Sequence, residues 1–375
     1  MNKSEDSSHE SIEFVHQNCE IVVVDVPYRY REKLLKLAPT IFHVIRKSGW
    51  KSLRILNIFS EQDDNKTLVQ VYMAKAMVEN PPEGLIICHF GVHGVLLTTL
   101  AKAGVFKPHD DIVTYFHGCD FSSYVAARSD RIYENLFAYG SKFIANSEFT
   151  RNKLIALGAE PSKVIKIPVG YNDKIFTYYD RQDLKLSPVI FMSIGRLTEK
   201  KGHQYLIAAF RKVLDSGLEA KLIIVGEGNL ESQLLDQIHD LNLNDSVELL
   251  GRKSQKEIKE LLQSVHVFVL ASVTASNGDT EGQGLVLQEA QAVGLPVIAT
   301  DHNGFPDSLQ DKHTGFLVPE RDSDILAQKM CLLGFEPNLR HKMGRAGAEF
   351  AKENFSSEVI SALTEEKVLN LSAKH

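Results

Sequence analysis

Cysteine is scarce, and the four that occur (Cys19, Cys88, Cys119 and Cys331) show no paired spacing and no C-x-x-C. This excludes a small disulfide-held scaffold and a thiolate zinc site, and it fits a reducing compartment. A basic surplus is also missing. The net charge of −6 argues against a general nucleic-acid binder, because affinity for phosphates needs a dense basic surface. The N-terminal MNKSEDSSHESIEF has no apolar core of the kind a signal peptide requires. Long apolar runs are nearly absent. One window, Gly84 to Ala101, holds eighteen residues without Asp, Glu, Lys or Arg, and on length alone it is a candidate membrane span. Its three glycines and two histidines divide it into a β-rich run, a turn and a helix. It therefore reads as a buried strand feeding a helix, not as a span.

The remaining composition, 43% hydrophobic and 24% charged over 375 residues, is that of a globular chain of about two domains. Short β-branched runs alternate with helix-length amphipathic stretches. The expected strands are Ile21–Val26, Leu85–His89, Asp111–Phe116, Phe143–Asn146 and Val164–Ile167, then Val189–Ile194, Lys221–Val225, Val247–Leu250, Val267–Ala271 and Pro296–Thr300. Most are apolar throughout, as parallel strands covered on both faces should be. Strand–helix alternation of this kind predicts doubly wound α/β sheets. The polar stretch at 178–187 is the linker candidate, and the last 50 residues read as two or three helices broken near Pro337. One segment stands apart in composition. Residues 28–54 carry eight basic residues (Arg29, Arg31, Lys33, Lys36, Arg46, Lys47, Lys51 and Arg54) against the single acid Glu32. Tyr28, Tyr30, Phe42 and Trp50, the only tryptophan, lie among them. Basic and aromatic residues so interleaved suit an anionic membrane surface, and equally a solvated helix face.

Two motifs in the second half carry chemistry. After the Val189–Ile194 run comes Gly195-Arg196-Leu197-Thr198-Glu199-Lys200-Lys201-Gly202, then an amphipathic stretch. A glycine ending a strand permits a tight turn, and a following helix presents unpaired N–H groups. Arg196 can grip phosphate oxygens at two points and Lys201 acts as a point charge, so this turn suits a phosphate or diphosphate. The second motif is Glu281-Gly282-Gln283-Gly284-Leu285-Val286-Leu287-Gln288-Glu289. A helix should begin near Gly284, with Glu281 on the loop before it and Glu289 inside it. Each carboxylate can accept from neighbouring hydroxyls, which suits a sugar or ribose, while the helix N-terminus favours an anion. A third pattern fails. Gly226-Glu227-Gly228 follows a strand, but Glu231 stands where a dinucleotide fingerprint needs its third glycine, which disfavours an NAD enzyme.

Together GRLTEKKG, VGEG, EGQGLVLQEAQAVGLPVIATDHNGFPDSL and HTGFLVPERD, in this order and spacing, resemble the C-terminal half of the retaining family-4 glycosyltransferases. SVTASNGDTEG, CHFGVHG and YFHGCDFS look most like the exopolysaccharide enzymes of the colanic acid and amylovoran type. The resemblance runs from about residue 10 to 370. It implies an α/β chain of GT-B fold, in which two Rossmann-like, doubly wound domains face each other across a cleft. The halves would be an acceptor domain at 1–180 and a nucleotide-sugar domain at 181–352, with a helix at 353–375 crossing back. It further implies transfer of a hexose, with retention, from a UDP- or GDP-sugar to a growing, lipid-linked surface polysaccharide (exopolysaccharide or O-antigen). Arg196 and Lys201, with Gly195, would meet the donor diphosphate, and Glu281 the donor-sugar hydroxyls. Glu289 would meet the ribose, Gly251 and Arg252 the nucleobase, and backbone groups from Gly282 through Gln283, Gly284, Leu285 and Val286 the sugar and phosphate. His117 matches the histidine at the reaction centre, with Asp120 beside it. No cofactor or metal is expected, since Arg196, Lys201 and the helix N-terminus would stabilise the leaving diphosphate. No nucleic-acid partner is expected either. The protein is expected in the cytoplasm, docked on the inner membrane through Arg46, Lys47, Trp50 and Lys51.

The start departs from the family. Ser11–Gln17 reads as the tail of the first helix and Glu20–Val26 as the second strand, leaving some 15–20 residues of the usual start missing, the first strand included. The other reading takes Ile21–Val26 as the first strand after a short tail. A shortened start would suit a degenerate relative that binds nucleotide sugar or a partner transferase without turnover, whereas the intact EGQG and GRLTEKKG favour catalysis. A GT-B epimerase or phosphorylase is a further alternative. Replacing Glu281 with alanine is expected to abolish transfer and leave thermal unfolding nearly unchanged.

Overall fold

A computed structural model of the chain describes residues 30–56, 64–82, 84–106, 112–121, 131–181 and 187–369. The expected strand Ile21–Val26, the helix tail at 11–17, residues Tyr28 and Arg29, and positions 182–186 of the linker candidate lie outside them. The chain forms two compact units, one of residues 1–86 with 95–111, the other of 87–94 with 112–375.

The first unit is built mainly of helices among its described residues. Helix α1 (Tyr30–Ser48) leads through a 3₁₀ turn, Trp50–Leu56, towards helix α2 (Asp64–Glu79), and α1 packs on α2. Val44, Ile55, Val71, Tyr72 and Ala74 are buried, and His43 Nε2 lies 3.3 Å from Glu79 Oε1. The opposite side is apolar and basic at once. Leu35, Phe42 and Trp50 are 79%, 69% and 78% exposed, beside exposed Arg31, Lys36, Arg46, Lys47, Lys51 and Arg54. None of these six cations has an ion-pair partner among the described residues.

Apart from Ile86, the strands lie in the second unit, in two sheets. The first has the order β1 (Ile86–His89), β2 (Ile112–Phe116), β3 (Lys142–Ala145), β4 (Val164–Lys166). β2 and β3 run parallel, as do β3 and β4, with Val113 opposite Lys142 and Phe143 opposite Val164. The charge-free window is divided as its glycines suggest, into β1 and helix α3 (Gly91–Lys102). No described helix is long and apolar enough to cross a membrane. Helix α4 (Glu134–Tyr139) precedes β3, and α5 (Glu148–Ala156) follows it, capped by Ser147, whose Oγ accepts from the Thr150 N–H at 3.2 Å.

The second sheet has six strands in the order β10-β9-β8-β5-β6-β7: β5 Val189–Ile194, β6 Ala220–Val225, β7 Val247–Leu249, β8 Val267–Leu270, β9 Val297–Thr300 and β10 Gly315–Val318. Its pairings are all parallel. Alternate residues feed opposite cores. Phe191, Leu222, Val267, Val269 and Ile298 pack with α6 (His203–Asp215), α7 (Glu231–Asp240) and α10 (Ser323–Phe335). Met192, Ile194, Phe268, Leu270 and Val297 pack with α9 (Leu285–Ala292), α11 (Pro337–Phe355) and Leu262 of α8 (Gln255–Ser264). Burial on both faces explains strands with no polar alternation. A last helix, α12 (Ser357–Lys367), begins where Tyr171 N donates to Phe355 O at 3.0 Å.

The first part of the linker candidate is fastened. Arg181 is buried and its guanidinium donates to the carbonyls of Leu262 (2.7 Å), Tyr179 (3.0 Å), Val265 (3.3 Å) and Val293. Leu262 lies in the last turn of α8 and Val293 caps α9, so the cation faces the negative ends of both helices. Burial pushes its pKa down to about 10, which still leaves it charged at neutral pH. Arg181→Ala strands these carbonyls and is expected to cost about 3 kcal/mol in urea unfolding. Unchanged stability would mean that the carbonyls find water instead.

Candidate functional site

Strand order places the site. β5 is flanked by β6 on one side and β8 on the other, so the chain leaves their carboxyl ends in opposite directions, which is where open α/β sheets take ligands. The loop after β5 is the GRLTEKKG turn, and the loop after β8 ends in EGQG. The turn is built by close backbone packing. Gly202 has φ +64°, and a Cβ there would stand 1.8 Å from the Ala271 carbonyl oxygen, so only glycine fits. The stem of Lys201 lies across Gly195, whose added Cβ would meet Lys201 Cδ at 2.8 Å. The VGEG turn is used locally: Leu197 N donates to Glu227 O at 2.9 Å, and α7 opens at Glu231.

These contacts bring both lysines of the turn to Glu281. Lys201 Nζ lies 3.2 Å from Glu281 Oε2, and Lys200 Nζ lies 3.3 Å from Oε1. Lys200 also reaches Asp279 Oδ1 and the Thr280 carbonyl, each at 3.2 Å. The side chains of Lys200, Lys201 and Glu281 are only 10%, 11% and 16% exposed. Burial alone would raise the Glu281 carboxyl, but Lys201 and Lys200 outweigh it and hold it below the usual carboxylate range.

The Glu281 backbone is gripped as firmly. Its N–H donates to His302 Nε2 at 3.1 Å, and its carbonyl accepts from Asn303 Nδ2 at 2.8 Å. Asn303 Nδ2 also lies 3.1 Å from His302 Nε2, so that nitrogen is the acceptor and Nδ1 carries the hydrogen, which it gives to Glu320. Glu320 in turn accepts from the Thr274 N–H at 2.9 Å. Lys200, Asp279, His302, Asn303 and Glu320 had no role in the reading of the sequence. The KK doublet and the DHNG segment were visible there, but nothing local announces that they converge on one carboxylate.

The remaining predicted residues of the second sheet differ in exposure and in what holds them. Arg196, Arg252 and Leu285 are exposed, and neither arginine has an ion-pair partner among the described residues. Gly284, in the left-handed conformation at φ +71°, opens α9 with no side-chain cap, leaving the N–H groups of Leu285 and Val286 at a bare helix N-terminus. Gly251 lies across from the VGEG turn, its carbonyl accepting from Gly226 N at 2.9 Å. Glu289 lies within α9, 9% exposed, and burial pushes its carboxyl up to about 7. Gln283 is committed elsewhere: its Oε1 accepts from Val169 N at 2.8 Å and its Nε2 donates to Val169 O at 3.0 Å. Its side chain ties the EGQG loop to the segment after β4.

The first sheet contributes its own carboxyl ends. A Cβ on Gly118 would stand 2.9 Å from Gly282 N, and Gly282 lies against Asn146 Nδ2. His117 therefore adjoins the Glu281–Gly282 peptide through its neighbour. Burial, with His89 nearby, lowers the His117 pKa, so the ring is neutral at pH 7, and its Nε2 is buried without a hydrogen-bond partner. Asp120 has both carboxylate oxygens engaged, accepting from Gly91 N at 3.0 Å and His117 N at 2.8 Å. With 2% exposure it serves as a backbone clamp that positions His117. Arg46, Lys47, Trp50 and Lys51 belong to the other compact unit.

Two parallel α/β sheets with loops of this kind at their carboxyl ends define a GT-B fold. The chain belongs to the family described as glycosyl transferases group 1, which matches residues 177–350. It is 37% identical over 244 residues to the amylovoran biosynthesis glycosyltransferase AmsK of Erwinia amylovora, covering 65% of this chain and 59% of that one. It is 30% identical over 330 residues to the colanic acid biosynthesis glycosyltransferase WcaL of Escherichia coli (strain K12), covering 87% and 79%. The chain thus spans less than two thirds of the amylovoran relative's length. Among solved structures it resembles the sucrose-phosphate synthase of Thermosynechococcus elongatus (TM-score 0.69, 21% identity, 84% and 81% covered). It also resembles Anabaena Alr3699/HepE in complex with UDP-glucose (TM-score 0.63, 20% identity, 76% and 78% covered).

The buried charges change what Glu281→Ala should do. Removing the carboxylate leaves Lys201 without its counter-ion, so stability falls together with any activity. The expected loss is about 3 kcal/mol in urea unfolding, with a smaller loss for Glu281→Gln. An unfolding midpoint unchanged by alanine would mean that the Lys201–Glu281 pair carries no net stabilisation.

Proposed function

We propose that the protein is a retaining hexosyltransferase of exopolysaccharide biosynthesis, using a UDP- or GDP-sugar and a growing, lipid-linked saccharide acceptor. The observation that carries this reading is Glu281, held between Lys200 and Lys201 at the carboxyl ends of β5 and β8, with Gly118 and His117 alongside. The names of the relatives, one of amylovoran and one of colanic acid biosynthesis, support the polysaccharide, and the UDP-glucose complex of a neighbour supports the donor class.

In this reading Arg196 and Lys201, with the N-terminus of α9, receive the diphosphate and the negative charge that builds on it as the glycosidic bond breaks. Lys201 has three N–H donors, so it can keep Glu281 while turning another to phosphate. Glu281 accepts from sugar hydroxyls, Glu289 from ribose hydroxyls, and Gly251–Arg252 borders the base. The acceptor attacks from the side the diphosphate leaves, which needs no protein nucleophile and no two-carboxylate arrangement. The neutral His117 ring offers its unpartnered Nε2 at that place. We assign residues 1–180 to the acceptor half, 181–352 to the donor half and 353–375 to a helix returning from the second to the first. No metal or cofactor enters the proposal.

Incubation with a panel of UDP- and GDP-sugars, with and without lipid extract, should give nucleotide release for one donor that rises when lipid is present. Release from none of them would sink the reading. In titrations with UDP and GDP, nucleotide binding should strengthen from pH 6 to pH 8. Glu289 has a raised pKa near 7, so it is largely neutral at the lower pH and becomes a full acceptor for ribose at the higher. Glu289→Gln should flatten that dependence.

The exposed face of the first unit supports peripheral docking at the cytoplasmic membrane. Leu35, Phe42 and Trp50 would enter the headgroup region while Arg46, Lys47 and Lys51 meet anionic lipid. Changing those three cations to glutamate should release the protein from phosphatidylglycerol vesicles in a flotation assay. Binding that persists would refute the docking face.

A further inference from the structure

A cavity of about 510 Å³ opens where the segment after β4 crosses helices α11 and α12. Its size is that of a small-molecule site. Ala292, at the last turn of α9, lines it, so the eight-residue helix separates it from the EGQG loop by roughly 12 Å. Two of its aromatic walls, Tyr171 and Phe176, are 4% and 2% exposed and fixed in the core, while the Tyr178 ring is 49% exposed.

The charges around it are of both signs, and most of them are exposed at its rim. Arg345, Glu349, Lys352 and Glu358 line the cavity with no ion-pair partner among the described residues, while Asp173, also in its wall, accepts from Ser357 Oγ at 2.6 Å. Arg345 and Glu349 are one helical turn apart on α11, yet do not pair with each other. Signs are mixed, so an anionic ligand would meet the glutamates and a cationic one Arg345 and Lys352. A neutral ligand rich in hydroxyls can use both, donating to the carboxylates and accepting from the guanidinium. The apolar faces of pyranose rings match the aromatic walls.

We infer that this cavity is a second saccharide site, which binds a neutral stretch of the polymer away from the reaction centre. The inference rests on the polysaccharide reading above. Holding the chain at a second point raises its effective concentration at the first, so the enzyme keeps its acceptor between additions.

Saturation-transfer NMR tests this in samples across a UDP titration, with neutral gluco-, manno-, galacto- and N-acetylglucosamine tetrasaccharides as probes. At least one should bind. The double variant Tyr178→Ala, Arg345→Ala changes exposed residues only and should weaken that binding tenfold or more, with UDP affinity unchanged. Glu349→Gln should weaken it less. The inference is overturned if no tetrasaccharide binds, if the double variant binds as the unchanged protein does, or if anionic oligouronates compete better than the neutral set. UDP affinity, read in the same samples, reports on the donor site, so a failure there is told apart from a failure here.

Discussion

The arrangement depends on one buried carboxylate between two lysines. Glu281 and Lys201 lie on loops from adjacent strands, and their attraction, at 3.2 Å and nearly out of water, ties the loop after β5 to the loop after β8. Breaking a buried pair costs more than making it gains, so neither partner can be lost alone. The geometry around it serves to deliver these groups. Gly202 turns the chain so that Lys201 can lie back over Gly195, and His302 and Asn303 hold the Glu281 peptide from either side. The carboxylate is thus fixed in both side chain and backbone. A group held this way can meet a ligand without first being ordered, which is the economy that preorganised sites use.

Much of the fold was legible because parallel strands buried on both faces leave a strong mark. Val189–Ile194 came out with its bounds unchanged, and eight others within a residue or two. The break at Pro337 fell as expected, since a proline opens α11 where its missing N–H costs nothing. The last strand, Gly315–Val318, leaves no comparable mark, because it is short and opens on glycine. The shape of residues 30–56 was not legible either. Their charge pattern stood out, but a helix carrying Pro39 inside it is held by packing on α2, which a local pattern does not reveal.

For the site, the residues that stand out in the sequence are those whose type and spacing suit a diphosphate and a polyol: Arg196, Lys201, Glu281 and Glu289. What the sequence could not give was their pairing. Lys200 and Lys201 stand some 80 positions before Glu281, and Glu320 acts on the same peptide through His302. Asp120 and Gln283 teach the converse. Both were placed by their motifs among groups that act, and both have their polar atoms committed to backbone, Asp120 at His117 and Gly91, Gln283 at Val169. A motif fixes which residue stands near the chemistry, and only hydrogen-bond accounting separates the groups left free from those that hold others in place.

Helix α9 carries groups left free. Glu289 is buried, its pKa is raised by desolvation alone, and no hydrogen bond or ion pair reaches its side chain among the described residues. Beside it, both amide atoms of the fully buried Gln288 are without a partner. Buried polar groups of this kind cost about 1–3 kcal/mol each, and folded proteins keep few of them. The helix is anchored regardless, by Gly284 at its start, by Leu287, Ala290 and Ala292 in the core and by Arg181 at its end. The surrounding structure therefore bears the cost of a carboxylate it does not satisfy. Such a group gains more from a ligand hydroxyl than one already paired would, because binding supplies the hydrogen bonds that folding withheld.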